Sequence, residues 1–199
     1  MAIRTPISKI APVGNSYRVG LMSGLITVLN AADPVFSFRW SSTTHRMYLQ
    51  ELNVNFDLTT AFGGAQDVAW AAYFARSYTV SDSGGTATTL TGDNCKTDTS
   101  LETTRMGDMR IATTVALTPG TRTLDTQPLW IRPGMFGNAV GNGNIDTMPL
   151  VAGIDNATNP ILFRTNEGMV ISPMITMGAA GVGHLFVQLS WLEIPNIIS

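Results

Sequence analysis

The segment NEGMVISPMITMGAAGVGHLFVQLSWLEI, residues 166–194, contains two apolar runs on either side of a Gly-rich turn. The second run alternates apolar and polar residues, the period-two pattern of a strand with one buried face. The first run is apolar at too many successive positions for a single buried face, which is typical of a strand covered on both sides. We therefore predict a closing hairpin whose first strand either lies centrally or meets another chain. The predicted inward residues of the second strand are Leu185, Val187, Leu189 and Trp191.

The same alternation recurs earlier in the chain. ELNVNFDL (51–58), VFSFRW (35–40) and RIATTVAL (110–117) each predict a half-buried strand. AQDVAWAAYFARSY (65–78) fits both a helix and a strand, and its Gly-rich flanks favour the strand. Pro173 has no N–H to donate to a neighbour, which indicates a sheet edge or a bulge at that position.

Gly- and Pro-containing turns separate these segments, and strong helix signals are scarce. Many short strands with frequent turns predict an all-β fold, a jelly-roll-like β-sandwich. We expect one such domain over residues 17–199, preceded by an extended N-terminal arm at residues 1–16. Ile3, Ile7 and Ile10 give the arm an apolar character, so we expect it to lie against its own domain or a neighbour.

The composition limits the classes of function. Charged residues make up 13% of the chain, about half the usual share. Such a low charge suits either a subunit that buries much of its surface or a neutral, Thr- and Asn-rich β protein. With a net charge of −2 and no basic patch, we expect no nucleic-acid binding. No apolar stretch is long enough for a membrane helix, so we expect no membrane partner.

The sequence contains no recognisable catalytic or metal-binding constellation. His45 and His184 have no ligands at metal-binding spacing, so both are interpreted as ordinary loop or strand residues. Asp82, Asp93 and Asp98 lie in turns, where Asp commonly caps the backbone. Cys95 is the sole cysteine, which excludes an internal disulfide and is compatible with assembly in a reducing cytoplasm. We therefore predict a protein that is not an enzyme and that needs no metal or cofactor.

An exposed aromatic anchor is a further candidate for partner binding. Trp130, Ile131 and Phe136 lie in a Pro- and Gly-containing segment, and Trp is common at interface hot spots. The alternative is a loop that packs onto its own core. Together with Ile3, Ile7 and Ile10, these residues form our predicted partner-binding set.

Three stretches resemble structural proteins of tailed bacteriophages. They are FARSYTVSDSGGTATTLTGDNCKTDT (74–99), MRIATTVALTPGTRTLDTQPL (109–129) and LFRTNEGMVISPMITMGAAGVGHLFVQLSWLEI (162–194). The last is similar to the closing strands of phage jelly-roll proteins, which often decorate or cement capsids, commonly as trimers. The resemblance implies a location in the virion, a major capsid protein as partner and no cofactor, and it assigns no functional residue.

The sequence thus predicts a decoration, or cement, protein on the outside of a tailed-phage head. A tail, neck or fibre-tip component is an alternative within the virion. A jelly roll that binds host surface glycans is an alternative of another class. An enzyme such as a depolymerase finds no supporting motif.

Overall fold

The computed structural model describes residues 14–136, 150–151 and 161–196. Those residues form twelve strands and no helix. The strands are β1 (Asn15–Met22), β2 (Phe36–Trp40), β3 (His45–Thr60), β4 (Gln66–Val80), β5 (Thr86–Ala87), β6 (Met106–Ile111), β7 (Thr121–Leu124), β8 (Trp130–Phe136), β9 (Leu150–Val151), β10 (Leu162–Phe163), β11 (Glu167–Pro173) and β12 (Val182–Pro195).

The strands form two antiparallel sheets. The first sheet has the order β1-β12-β3-β10, and β9 also pairs with β3. The second has the order β5-β6-β2-β11-β4-β7, and β8 also pairs with β4. From β1 to β4 the chain alternates between the two sheets, and it does so again from β11 to β12. A sheet β1-β12-β3-β10 opposite a sheet β2-β11-β4-β8 has the connectivity of a jelly roll, so the predicted fold class is confirmed.

The inner faces of the two sheets share one hydrophobic core. Phe163 of the first sheet lies between two rings of the second, stacked on Phe74 with ring centroids 4.7 Å apart and edge-on to Phe38 at 5.0 Å. Phe56 contacts Trp70 at 5.3 Å and Phe136 at 5.6 Å in the same way. These interlocking rings fix the spacing of the sheets, because aromatic pairs prefer stacked or edge-to-face geometry.

The alternating patterns place the predicted residues on the inner faces. On β3 and β12 the predicted inward residues are all buried. The pairing of the two strands shifts register twice, between Val182 and Gly183 and between Ser190 and Trp191. The ambiguous 65–78 segment is a strand, part of β4, as its flanks favoured. β11 is central, between β2 and β4, and is buried on both faces from Gly168 to Pro173.

Three local predictions are wrong. β11 and β12 do not form a hairpin, since they belong to different sheets and each takes an interior place in its own. The 110–117 segment is not one strand: β6 ends at Ile111, and the backbone then hydrogen-bonds to the segment before β2. Pro173 marks neither an edge nor a bulge. It is the last residue of a central strand, two residues past Ile171, which pairs with the first residue of β2, so no N–H is needed on that side.

The outer faces of the two sheets differ. A small second cluster of Ala75, Tyr78 and Val170, with Leu124 packed on it, covers part of the outer face of the second sheet. The outer face of the first sheet instead carries an open groove.

The free edge of β1 is covered by the segment that connects β5 to β6. The N–H of Arg18 donates to the carbonyl of Cys95 at 2.7 Å, and that of Thr97 donates to the carbonyl of Ser16 at 3.4 Å. Backbone groups that would otherwise face solvent are therefore partly satisfied within the chain.

Candidate functional site: an apolar end and the adjoining groove

Three connecting segments lie together at one end of the sandwich, residues 23–35, 112–117 and 174–181, and we call their surface the apolar end. The β3–β4 connection, residues 61–65, lies at the same end. These segments are held to one another by the backbone, so the surface that they form is defined by the fold. Three of the hydrogen bonds run from Gly24 to Ala112, from Leu117 to Pro34 and from Met177 to Leu29.

Large apolar side chains are exposed at this end. Nine large hydrophobic residues are exposed among the described residues. Five of them lie at this end, and a sixth, Met22, is the last residue of β1 and leads into it. Single exposed apolar residues are ordinary, but concentration at one end of a domain is typical of an interaction surface. The six, with their exposed fractions, are Met22 (57%), Leu25 (46%), Val28 (53%), Val115 (66%), Met174 (37%) and Ile175 (45%).

A groove on the outer face of the first sheet adjoins the apolar end at Met22. Its volume is about 880 Å³, and its lining is mostly apolar. The outward side chains of three neighbouring strands form it, with Phe186 of β12 between β1 and β3. Gly20 contributes room, because it places no side chain between Arg18 and Met22 on the same face of β1.

Amide side chains supply the polar groups of this groove. Asn53, Asn55 and Gln188 line it beside Phe186. The Oδ1 atoms of Asn53 and Asn55 are buried and accept no hydrogen bond from the described residues. A buried acceptor without a donor costs free energy, and a ligand or partner that supplied a donor would recover it.

Ser23 joins the groove to the apolar end. Its side chain is buried and accepts a hydrogen bond from the N–H of Leu185 at 2.8 Å, while its carbonyl lies 3.0 Å from Nδ1 of His184. The next residue must be glycine, because a Cβ on Gly24 would lie 2.3 Å from the carbonyl oxygen of Thr113. The chain therefore leaves β1 along a fixed path towards Leu25.

The predicted partner-binding residues lie elsewhere. Ile3, Ile7 and Ile10 fall outside the described residues. Trp130 is half-buried and packs against the core, and Ile131 is 48% exposed. Both lie on β8, which pairs with β4. Phe136 is 2% exposed and packs among core rings, so we leave it out of the surface proposed below. Partner binding by this set stays a prediction.

Phe186 and Met22 are among the residues of this surface that the sequence analysis missed. Phe186 occupies a position of β12 whose neighbours on the same face, His184 and Gln188, are polar. An apolar residue at a polar-face position was the available signal. Met22 carried no such signal, because where β1 ends depends on its pairing with β12.

The residues considered for chemistry are dispersed. Within the described ranges, no three or more His, Cys, Asp or Glu side chains are grouped so that they could hold a metal ion. No helix long and apolar enough to cross a membrane occurs in the part of the chain that the structure describes. Burial raises the pKa of the Cys95 thiol, whereas a nucleophilic thiol needs a lowered one.

Comparisons with known proteins leave the family of this chain open. No family model matches it, and no curated protein matches it. Among solved structures it is similar to the unassembled KI polyomavirus VP1 pentamer, with a TM-score of 0.35 and 12% sequence identity. That alignment covers 91% of this chain and 95% of the other chain. The jelly-roll assignment rests on the strand connectivity described above.

Proposed function

We propose that this protein is a virion structural protein that decorates the outside of a tailed-phage head and reinforces it. The observation that supports the proposal most is the apolar end, which with the adjoining Met22 holds six of the nine exposed large hydrophobic residues of the described chain. The sequence resemblance to phage structural proteins points in the same direction.

The physical basis of docking would be burial of this surface. Apolar area removed from water contributes about 25 cal/mol per Å² before the costs of association are subtracted. A head presents the same binding position many times, so modest contacts at each copy add through multivalency. The charged fraction of 13% suits a protein whose surface is shared with neighbours.

The expected partner is the major capsid protein, together with other copies of this chain, as a trimer. The N-terminal arm of residues 1–16 would extend these contacts through Ile3, Ile7 and Ile10. The protein would be assembled in the host cytoplasm and remain on the capsid surface.

The test is a binding assay with heads that lack this protein. We expect the wild-type chain to co-sediment with them and to raise their resistance to heat and chelators. The double substitution of Val28→Asp with Ile175→Asp places two charges on the apolar end, at positions 53% and 45% exposed, and is expected to abolish both effects.

The matched control is Val80→Asp. Val80 is 56% exposed but lies at the far end of β4, at the opposite end of the sandwich. This variant should bind as the wild type does. Equal binding by the double variant, or no protein on purified heads, contradicts the proposal. If the protein is found at the tail or neck of the particle, the tail or fibre-tip alternative replaces it.

A second candidate function is glycan binding in the groove of the first sheet. Planar amides suit sugar hydroxyls, an aromatic ring suits a sugar face, and the groove holds Asn53, Asn55 and Gln188 beside Phe186. A glycan array probed with the wild type and with Phe186→Ala tests it. A signal that is lost in the variant supports this function, whereas an empty array or an unchanged signal excludes the groove.

A further inference from the structure

A second, polar pocket lies at the end of the sandwich opposite the apolar end. It is lined by the beginning of β3, by the turn between β10 and β11 and by the residue that follows β12. Its volume is about 210 Å³, room for a small group and a few waters. The lining residues are His45, Arg46, Arg164, Thr165 and Asn196.

Hydrogen bonds hold the guanidinium of Arg46 in place. Its Nε donates to Oδ1 of Asn196 at 3.2 Å. Asn196 is itself fixed, because its Nδ2 donates to the carbonyl of Thr43 at 2.9 Å and its backbone N–H donates to that of Thr44 at 2.8 Å. Because its Nε is held in this way, Arg46 can offer its two terminal nitrogens to a ligand without first rearranging.

The other walls of the pocket are also positioned by local contacts. Oγ1 of Thr44 lies 2.9 Å from Nδ1 of His45. The hydroxyl of Thr165 donates to the carbonyl of Ser42 at 2.5 Å. Arg164 reaches the pocket from the turn in which its own backbone N–H donates to Oε2 of Glu167 at 2.7 Å.

The charges of this pocket are not balanced from within. Arg46 and Arg164 take part in none of the ion pairs formed among the described residues, whereas most of the other described arginines do. Among the described residues that line the pocket there is no carboxylate, and that of Glu167, in the same turn as Arg164, points its Oε1 at Arg76. Two like charges that share a cavity repel each other unless an anion lies between them.

We propose that this pocket binds a small oxyanion group: a carboxylate, a phosphate or a sulfate. A guanidinium offers two parallel N–H donors in the geometry that such groups accept, and here two guanidiniums and an imidazole converge without a competing carboxylate in the lining. The hydroxyl of Thr165 and the amide of Asn196 complete a polar wall. This site goes beyond the proposed docking function, because it shares no residue with the apolar end.

The experiment is a titration of the ¹⁵N-labelled full chain, followed by NMR at constant ionic strength with chloride as the balancing anion. Inorganic phosphate, sulfate and acetate are the probes. We expect saturable shifts of the backbone amides at 45–46, 164–165 and 196. Arg46→Gln and Arg164→Gln should each weaken the apparent affinity by about tenfold, because each removes a charge-assisted pair.

The control is Arg18→Gln, which removes an exposed arginine of β1 outside the pocket and should leave the affinity unchanged. Arg164→Lys retains the charge and loses the fork, so it should fall between wild type and Arg164→Gln. The absence of saturation with all three probes overturns the proposal, as do shifts that persist unchanged in both Gln variants. Saturation by acetate alone identifies a carboxylate as the ligand class, and saturation by phosphate or sulfate alone identifies a tetrahedral anion.

Discussion

Glu193, near the end of β12, is a carboxylate buried inside this fold. It is 1% exposed, yet its oxygens accept hydrogen bonds from a hydroxyl, a backbone N–H and an indole. The donors are Thr104 at 2.5 Å, the N–H of Arg105 at 3.0 Å and Nε1 of Trp191 at 3.2 Å. Because a buried charge is tolerated only when it is paired and hydrogen-bonded, this network fastens the segment before β6 to the first sheet.

Glu193→Gln should destabilise the fold by about 2 to 3 kcal/mol, because an amide loses a charge-assisted acceptor and places an NH₂ against existing donors. Urea unfolding followed by tryptophan fluorescence measures the change. The matched variant Glu102→Gln removes a carboxylate that is 67% exposed and pairs with the same Arg105, and it should cost no more than about 0.5 kcal/mol. Equal losses in the two variants would contradict the role given to Glu193.

Tyr17 should make stability fall at alkaline pH. Its ring is buried on Trp191, and burial, with the nearby Glu193 carboxylate, raises the pKa of its phenol from 10.0 to about 12. The unfolded chain releases this proton at the ordinary pKa. The stabilisation of the fold by protonated Tyr17 is therefore fully present below about pH 10 and is lost as pH rises towards about 12. Between about pH 9 and about pH 11, the free energy of unfolding measured with urea should fall less for Tyr17→Phe than for the wild type. Identical declines would exclude Tyr17 as the source.

The sequence could not predict which charged residues form buried ion pairs. Asp82 was interpreted as a turn residue, and it does accept the N–H of Gly120 at 2.8 Å. It is also paired with the buried guanidinium of Arg122, whose burial lowers the pKa of that group. The two residues lie on different segments, and only folding over Tyr78 brings them together. No local pattern carries that information.

At the scale of elements, the positions and inward faces of the long strands followed from the sequence, but the end of β6, the short strands and the strand pairing did not. The period-two patterns of β3 and β12 predicted which side chains are buried. The same patterns were silent on whether β11 pairs with β12, since an apolar strand fits the interior of either sheet. A hairpin is the default for neighbouring strands, and here the 174–181 connection crosses to the other sheet instead.

Gly168 of β11 tests the packing of the central strand. A Cβ at this position would lie 2.0 Å from the carbonyl oxygen of Phe38 and 3.0 Å from the ring of Tyr78. Gly168→Ala should therefore destabilise the fold by about 1 to 3 kcal/mol, as overpacking does. Gly63→Ala is the control, because nothing lies within 4 Å of the added methyl group. Thermal and urea unfolding of both variants decide the matter, and a neutral Gly168→Ala would refute the close approach.

At the scale of the whole molecule, the two ends of the sandwich differ in chemistry. One end gathers exposed apolar side chains, and the other holds a basic pocket. Composition indicated that surfaces would matter, but it could not place them, because each surface combines connections far apart in the chain. The predicted anchor Trp130 is half-buried against the core. The exposed residues Leu25 and Ile175 stand in no sequence pattern that predicts an interaction surface.

Deletion of residues 2–12 should leave the domain folded and weaken its assembly or docking. The arm precedes β1, which begins at Asn15, and the buried core described here starts at Tyr17. We expect an unchanged urea midpoint and reduced co-sedimentation with heads. Replacing Ile3, Ile7 and Ile10 together by Ser keeps the length of the arm and should reproduce the loss. A truncated chain that fails to fold would place the arm in the core.

The backbone of residues 95–97 hydrogen-bonds along β1, and this cover matters where many copies are crowded together. A decorated particle would hold many copies side by side, at local concentrations where bare sheet margins join into fibres. Because its own chain already covers part of the β1 edge, each copy leaves few free backbone N–H and C=O groups there for a neighbour's strand. Contacts made at β1 would then rely mainly on side chains, which disfavours strand-to-strand growth at this edge.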